Sequence, residues 1–130
     1  MKLAKIPTTA PKLVNKEKTK VKTLKLVEEI ADLQKILYAQ GKYKVLIILQ
    51  GMDAAGKDGT ISTVFKSVNP LGCRVQAFKV PTPEEDSPAL LWRVHPHVPA
   101  KGMIQLFNRS HYEAILVPTV HKLFPKNVIK

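Results

Sequence analysis

Two glycines and a lysine in the stretch QGMDAAGKDGT, residues 50–60, have the spacing of a phosphate-binding loop. Gly51, Gly56 and Lys57 follow the pattern G-x-x-x-x-G-K, in which backbone N–H groups and a lysine ammonium surround phosphate oxygens. The Ser or Thr that usually comes next, and whose hydroxyl holds Mg²⁺, is replaced by Asp58. Glycines at this spacing also occur in tight turns. The predicted structure of the flanking segments is therefore needed to distinguish a phosphate site from a turn.

The segments on either side of this loop are a short apolar run and a helical pattern. KVLIIL, residues 44–49, is typical of a strand that is buried on both faces of a parallel sheet. Apolar residues recur at helical spacing over residues 59–70, and Asn69-Pro70 predicts the end of that helix. This context favours a phosphate site, because the mechanism requires a glycine loop and a helix N-terminus after a buried strand. The predicted phosphate contacts of the loop are Gly51, Met52, Ala54, Ala55, Gly56, Lys57, Asp58, Gly59 and Thr60.

A carboxylate inside the same loop, Asp53, indicates a metal ion. Phosphate oxygens repel a carboxylate unless a cation lies between them, which makes Asp53 a candidate ligand of Mg²⁺. Its alternative role is that of a turn residue whose side chain bonds its own loop backbone. Thr60 is a weaker replacement for the missing hydroxyl, because its side chain points to another part of the helix surface.

The rest of the chain continues the alternation of helical and strand patterns. The further predicted elements are a helix over 24–41, strands over 74–80 and 103–107, and helices over 87–95 and 108–124. In the first of these helices the predicted buried face comprises Leu26, Val27, Ile30, Leu33 and Leu37. Ser110 and Glu113 have the spacing of a capping box at the start of the last helix. The order predicts an α/β fold in three layers, α/β/α, around a mostly parallel sheet.

Length and charge limit the kinds of protein that this chain can be. Its 130 residues suffice for one compact domain, which we expect over residues 23–130 after a basic, flexible arm over residues 1–22. The net charge of +11 favours a polyanionic partner. We expect neither nucleic acid nor a membrane, because aromatic residues do not alternate with the basic ones and no apolar run is long enough to span a bilayer. A single cysteine and the absence of a signal-like apolar run predict a cytoplasmic location.

Several segments, taken together, resemble the second polyphosphate kinase family. The similarity covers roughly residues 25–125 and is carried by QGMDAAGKDGTI, NPLGCRV, FKVPTPEE, LLWRVHPHVPAKG and FNRSHYEAILV. The resemblance implies a P-loop kinase-like fold and a Mg²⁺-dependent transfer of the terminal phosphate of inorganic polyphosphate to AMP or ADP. It also implies that further strands and a helical lid are missing here, so that the fold is incomplete. The chain is then a fragment of a longer protein or a truncated copy, or elements of a partner chain supply the missing parts. We expect a homo-oligomer.

The resemblance also implies roles for individual residues. Asp53 and Lys57 match the acidic and basic positions of the family's phosphate loop, and the family tolerates Asp or Gly at position 58. In FNRSHYE, Asn108 stands where many members have Asp, and this version resembles the branch that accepts AMP as well as ADP. Arg109 matches a phosphate-contacting arginine. The implied catalytic residues are thus Asp53, Lys57 and Arg109, with Asp53 and Asn108 at the metal.

Electrostatics supports these roles, and alternatives remain for several residues. Phosphoryl transfer needs positioning and charge neutralisation, which Lys57 and Arg109 would provide beyond the ends of two strands. Arg109 could instead pair with Glu113 four residues later. Arg93 contacts phosphate or covers the edge of the sheet, and the sequence does not favour either. The plainer interpretation is preferred for a last group: a solvated acidic loop at Glu84 and Glu85, a loop-fixing pair at His95 and His97, and a packing residue at Cys73.

Two other functions fit the same loop. One is a truncated, non-catalytic protein that binds phosphate, and the other is a P-loop kinase of another family that uses ATP as its phosphoryl donor. Competition between ATP and polyphosphate would distinguish a donor site for ATP from one for polyphosphate.

Overall fold

The computed structural model describes residues 9, 11, 14–79 and 91–112. Its helices are α1 (Lys16–Gln40) and α2 (Lys57–Val64), with a short 3₁₀ helix at His95–His97. Its strands are β1 (Val45–Leu49), β2 (Cys73–Ala77) and β3 (Ile104–Asn108). The alternation of helices and strands confirms the predicted α/β class.

The three strands form one parallel sheet in the order β1-β3-β2. In the centre, Ile104 of β3 is in register with Val45 on one side and with Cys73 on the other. All three strands lie within a few residues of their predicted positions. The central strand is also the most buried of the three, since every residue from Ile104 to Phe107 is buried. Because all three strands are parallel, their carboxyl ends meet at one edge of the sheet, where open α/β sheets bind their ligands.

Helix α1 begins earlier than the sequence pattern predicted. It starts at Lys16 and not at residue 24, so residues 16–22, which were assigned to the arm, are helical. Asn15 caps the helix by accepting a hydrogen bond from the Lys18 N–H at 3.1 Å. The helix ends at Gly41, whose φ of 57° places it in the left-handed region that favours glycine. Of the remaining arm, residues 1–8, 10, 12 and 13 lie outside the described residues.

The buried face of α1 is rotated from the predicted one. Val27, Ala31 and Gln34 are buried, whereas Leu26 and Leu33 are 45% and 63% exposed. A close approach explains why a polar residue, Gln34, lies on the buried face. A Cβ added to Gly72 would come within 1.8 Å of the Gln34 side-chain nitrogen, so glycine at this position lets α1 lie against the segment that leads into β2.

Helix α2 is shorter than predicted and ends at Val64. The following residues form turns, in which the Val68 N–H bonds to the Phe65 carbonyl. The Asn69 side chain then accepts the Leu71 N–H at 2.9 Å, the hydrogen bond of an Asx turn. Asn69-Pro70 therefore belongs to a turn beyond the helix and does not itself end the helix.

The segment between β2 and β3 is described in part. Residues 91–94 form turns before the 3₁₀ helix, so the part of the predicted helix over 87–95 that can be seen is not α-helical. Glu84, Glu85 and the start of that helix lie outside the described residues, as does most of the predicted helix over 108–124. Phe78, Val94 and Phe107 form a buried cluster beside the central strand. Among the described residues, no helix has the length and apolar character needed to cross a membrane.

Candidate phosphate-binding site

The loop between β1 and α2 crosses the carboxyl edge of the sheet. Two of its residues have positive φ, Ala54 at 59° and Gly56 at 83°. Gly56 is the cap of α2, and glycine adopts this conformation without the strain that a side chain would bring. Ala54 adopts it at a cost in backbone energy, a feature that clusters at ligand-binding sites. The loop therefore leads directly from β1 into the N-terminus of α2, as a phosphate-binding loop requires. The prediction that β1 is buried on both faces is wrong: it is an edge strand of the three-stranded sheet, and Val45, Leu46 and Ile48 are exposed among the described residues.

Lys57 folds back over this loop. Its half-buried ammonium group donates hydrogen bonds to the carbonyl of Gly51 at 2.8 Å and to that of Met52 at 2.7 Å. The positive charge is thus positioned over the loop by contacts with residues five and six positions away. Thr60 is held just as locally, because its N–H and its hydroxyl both donate to the Gly56 carbonyl, at 2.9 and 3.0 Å. The hydroxyl of Thr60 therefore bonds within its own helix, in agreement with its weak candidacy as a metal ligand.

The second loop of the site follows β3. The N–H of Arg109 donates to the Leu49 carbonyl at 3.0 Å, which extends the β1–β3 ladder to the end of both strands. Arg109 has a φ of 69°, and this left-handed backbone turns the chain sharply at the edge of the sheet. Because β3 is the immediate neighbour of β1, this turn lies beside the phosphate loop.

Three side-chain contacts join the second loop to the first. The amide nitrogen of Asn108 donates to a carboxylate oxygen of Asp58, and a guanidinium nitrogen of Arg109 forms an ion pair with Asp53. The hydroxyl of Ser110, which is fully buried, donates to the side-chain oxygen of Gln50 at 3.1 Å. These pairs bring together residues 50, 56 and 60 positions apart along the chain. The structure therefore joins the predicted metal and catalytic residues at one edge of the sheet.

These contacts bear on the alternatives that the sequence left open. The Asp53 carboxylate forms an ion pair with Arg109 of the second loop, a contact that a residue serving only its own turn would not need. Arg109 contacts Asp53, while Glu113, its alternative partner, lies outside the described residues. Ser110 does act as a local cap, since it accepts the Tyr112 N–H at 3.2 Å, but it also reaches Gln50. The sequence analysis did not anticipate that second role.

Two observations bear on whether these residues fit Mg²⁺. The side-chain oxygen of Asn108 is buried and has no hydrogen-bond partner among the described residues. The Asp53 side chain is 84% exposed, so its carboxylate is accessible to a cation in solution. Residues 14–79 and 91–112 contain no cluster of three or more His, Cys, Asp or Glu that could hold a metal ion. This sparse set fits Mg²⁺, which binds through one or two carboxylates while substrate phosphates and waters complete its shell.

Arg93 packs against the residues that follow β2. Its side chain is buried, donates to the Lys79 carbonyl at 3.0 Å and lies over the Phe78 ring at 5.3 Å from the ring centroid. These contacts agree with the interpretation of Arg93 as a residue that covers the edge of the sheet. A contact between Arg93 and phosphate stays a prediction.

Of the remaining singled-out residues that the structure describes, His97 and Cys73 are partly buried, whereas His95 is exposed. The His97 ring packs edge-on against Phe78 with centroids 5.8 Å apart, as expected for a residue that fixes its loop. Cys73 is half-buried at the start of β2, and burial raises the pKa of its thiol. A raised pKa keeps the thiol protonated and unreactive, in agreement with a packing role.

Comparisons with known proteins identify the family of the chain. The family model of polyphosphate kinase 2 matches residues 13–129. An AMP/ADP-polyphosphate phosphotransferase of Meiothermus ruber is 54% identical over 103 residues, which are 79% of this chain and 39% of that protein. An ADP-polyphosphate phosphotransferase of Rhodopseudomonas palustris is 48% identical over 95 residues, 73% of this chain and 33% of the relative. The chain thus spans well under half the length of these relatives.

A solved structure shows the same architecture. The crystal structure of polyphosphate kinase 2 from Arthrobacter aurescens TC1 is similar with a TM-score of 0.90 and 36% identity. The similarity covers 99% of this chain and 48% of that one. It confirms the predicted fold class, including its incompleteness, because the matched part is about half of the larger protein.

Proposed function

The chain belongs to the polyphosphate kinase 2 family, and we propose that it transfers the terminal phosphate of inorganic polyphosphate to AMP or ADP with the help of Mg²⁺. The printed names of its relatives, AMP/ADP- and ADP-polyphosphate phosphotransferase, support this reaction. The net charge of +11 supports it too, because a basic surface attracts a long polyanion.

The observation that carries the proposal is the meeting of two loops at one edge of the sheet. Lys57 and Arg109 bring two positive charges there, and Asp53 and Asn108 bring oxygen ligands. Phosphoryl transfer asks a protein mainly for positioning and for neutralisation of the negative charge on the moving group. The two cations suit the second task, and the backbone at the start of α2 suits the first.

The two cations of the site have partners within the protein. Lys57 bonds to the carbonyls of its own loop, and Arg109 bonds to Asp53. We infer that an entering phosphate draws Arg109 away from Asp53, which leaves the carboxylate for Mg²⁺. The metal, when bound, neutralises charge on the phosphate oxygens. Phosphate should therefore strengthen metal binding, because it draws Arg109 away from Asp53. Metal should strengthen phosphate binding to the same extent, because bound Asp53 no longer competes for Arg109.

Transfer itself is an in-line displacement. An oxygen of the acceptor's terminal phosphate forms a bond to the terminal phosphorus of polyphosphate, and the bridging P–O bond breaks. The electron pair of that bond leaves with the shortened polyphosphate. Lys57 and Arg109 stabilise the charge on the transferred group, and the Gly51–Thr60 backbone holds the phosphates in line. The neutral Asn108 fits a site that accepts AMP as well as ADP.

The test is a transfer assay on the chain itself. It is incubated with long-chain polyphosphate, Mg²⁺ and either AMP or ADP, and ADP or ATP formation is measured. We expect product from both acceptors and none above background from Lys57→Ala. Replacement of polyphosphate by ATP as donor should give no product. A chain that binds polyphosphate but forms no more product than Lys57→Ala does would contradict the proposed reaction and favour a binding protein without catalysis.

The assembly and location of the protein stay predictions from the sequence. These are a homo-oligomer, a cytoplasmic location and the absence of nucleic-acid and membrane partners. Light scattering of the purified chain checks the first of these, with a mass of one chain as the contradicting result.

A further inference from the structure

We propose that Asp58 is a ligand of the metal ion, held in place by Asn108, so that the site binds Mg²⁺ with two carboxylates contributed by the phosphate loop and its helix. This inference deepens the proposed function and rests on it. It assigns a metal role to a residue that the sequence suggested only as a phosphate contact.

The position of Asp58 in the chain is the first argument. It directly follows Lys57, where phosphate loops usually have the Ser or Thr whose hydroxyl binds Mg²⁺. The next hydroxyl along the chain is that of Thr60, which donates to the Gly56 carbonyl within its own helix. A carboxylate at position 58 is a stronger ligand for Mg²⁺ than a hydroxyl, since it brings a full negative charge. The first turn of α2 also favours a negative charge through the helix dipole.

The contact with Asn108 is the second argument. Asn108 donates its amide N–H to one oxygen of Asp58, which fixes the carboxylate at the junction of the two loops. The other end of the same amide, the Asn108 oxygen, is buried without a hydrogen-bond partner among the described residues. A buried amide oxygen of this kind costs free energy unless a cation or a water fills the space beside it. Asn108 can therefore orient Asp58 through its nitrogen and offer its oxygen to the same metal ion.

The charge at position 108 follows from this arrangement. A carboxylate at position 108 would face Asp58 at hydrogen-bond distance, and two like charges so close repel each other unless a cation or a proton is present. A neutral amide avoids that repulsion and still donates a hydrogen bond. We infer that Asn108 is neutral because Asp58 carries the negative charge of this part of the site.

Two variants distinguish a metal-binding Asp58 from an Asp58 that only accepts a hydrogen bond from Asn108. Asp58→Asn keeps an oxygen that can accept the Asn108 N–H but removes the negative charge. The exchange variant, Asp58→Asn with Asn108→Asp, returns one carboxylate to the pair in the reverse orientation. Both are made in the full chain, and Mn²⁺ alone is titrated as a stand-in for Mg²⁺, with free Mn²⁺ measured by its electron paramagnetic resonance signal. The readout is metal affinity and does not require catalysis.

We expect Asp58→Asn to weaken Mn²⁺ binding by about tenfold or more, the effect typical of losing a ligand or its close partner. The exchange variant should recover most of that loss, and Asn108→Asp alone should bind Mn²⁺ more tightly than the unchanged chain because it adds a charge. Asp32→Asn is the matched control, since Asp32 is an exposed residue of α1 paired with Lys35. It should bind Mn²⁺ like the unchanged chain.

Equal Mn²⁺ affinity of Asp58→Asn and the unchanged chain would overturn the inference, and so would an exchange variant as weak as Asp58→Asn. The transfer assay separates this failure from that of the proposed function. If the chain forms ATP from polyphosphate and Asp53→Asn lowers Mn²⁺ affinity while Asp58→Asn does not, only the role of Asp58 is wrong. If the unchanged chain binds no Mn²⁺, both the role of Asp58 and the proposed Mg²⁺ site are wrong.

Discussion

The loops after β1 and β3 meet at the same edge of the sheet but take their shapes from different sources. The loop after β1 is held by contacts within itself, as in the bonds from Lys57 to Gly51 and Met52. The loop after β3 is held by contacts with the first loop, through Asn108, Arg109 and Ser110. We therefore expect the first loop to position a phosphate through its own contacts, whereas the shape of the second depends on its neighbour.

This difference predicts two kinds of functional effect. Changes in the first loop should alter phosphate binding directly. Changes in the second should alter how phosphate and metal influence each other, because its side chains contact Asp53 and Asp58, the carboxylates that we propose as metal ligands. The predictions that follow test this division, beginning with the largest expected effect.

Lys57→Ala should abolish most of the transfer activity. The change removes a positive charge positioned over the phosphate loop, and loss of one such group costs about 10²–10³ in rate. The transfer rate with saturating polyphosphate and ADP is the measurement. Lys66→Ala, which removes an exposed lysine just beyond α2, is the matched control and should change the rate less than twofold. A loss of equal size in both variants would point to general attraction by the basic surface.

Arg109→Gln should lower the transfer rate by about 10²-fold, somewhat less than Lys57→Ala, because Lys57, the cation positioned directly over the first loop, remains. The same change should strengthen the binding of Mn²⁺ in the absence of phosphate, since Asp53 loses its competing partner. Transfer rate and Mn²⁺ affinity are measured on the same preparation. Arg74→Gln, at an exposed position of β2, serves as the control. Weaker Mn²⁺ binding by Arg109→Gln would show that the ion pair does not compete with the metal.

Asp53→Asn should change the affinity for pyrophosphate in opposite directions with and without metal. Without metal, pyrophosphate should bind several-fold more tightly, because the variant removes a repelling charge and releases Arg109 from its ion pair. With Mg²⁺ present, it should bind more weakly than to the unchanged chain, because a metal ligand is lost. Calorimetric titrations with pyrophosphate, with and without Mg²⁺, measure both effects. A loss of affinity in both conditions would mean that Asp53 supports the shape of the loop and does not compete for Arg109.

Ser110→Ala should have the smallest effect, and mainly on stability. The change removes a buried hydroxyl that donates to the Gln50 side chain and accepts the Tyr112 N–H, and the loss of these hydrogen bonds costs about 1–2 kcal/mol of unfolding free energy. Urea unfolding measures this loss. Ser67→Ala, at an exposed position, is the control and should be nearly neutral. An unchanged midpoint for Ser110→Ala would show that the contact between the two loops contributes little.

The same difference between the loops explains what the sequence could predict. The strand before the first loop, the loop itself and the start of its helix lie close together in the chain, so their local pattern was sufficient. The contacts of the second loop join residues 50 or more positions apart and depend on the strand order β1-β3-β2, which no local pattern contains. Knowledge of that order would have placed Ser110 beside Gln50, because each follows the end of one of two neighbouring strands.

The start and orientation of α1 could not be predicted for a different reason. Its first residues are rich in lysine, which indicated a basic arm, although lysine is a good helix former and Asn15 provides a cap. Its buried face was assigned to the largest apolar residues. In the structure Gln34 is buried close to Gly72 and Leu33 is exposed, and the contact between Gln34 and Gly72 is again distant in sequence.

The most direct test of the central claim, that the two loops form one site for phosphate and metal, is an NMR titration of the ¹⁵N-labelled chain with pyrophosphate and Mg²⁺. The backbone amides of residues 51–60 and the side-chain signals of Asn108 and Arg109 should shift together, with one shared dissociation constant. Shifts confined to the first loop, or spread over the lysines of α1 with no change at Asn108 and Arg109, would contradict the account.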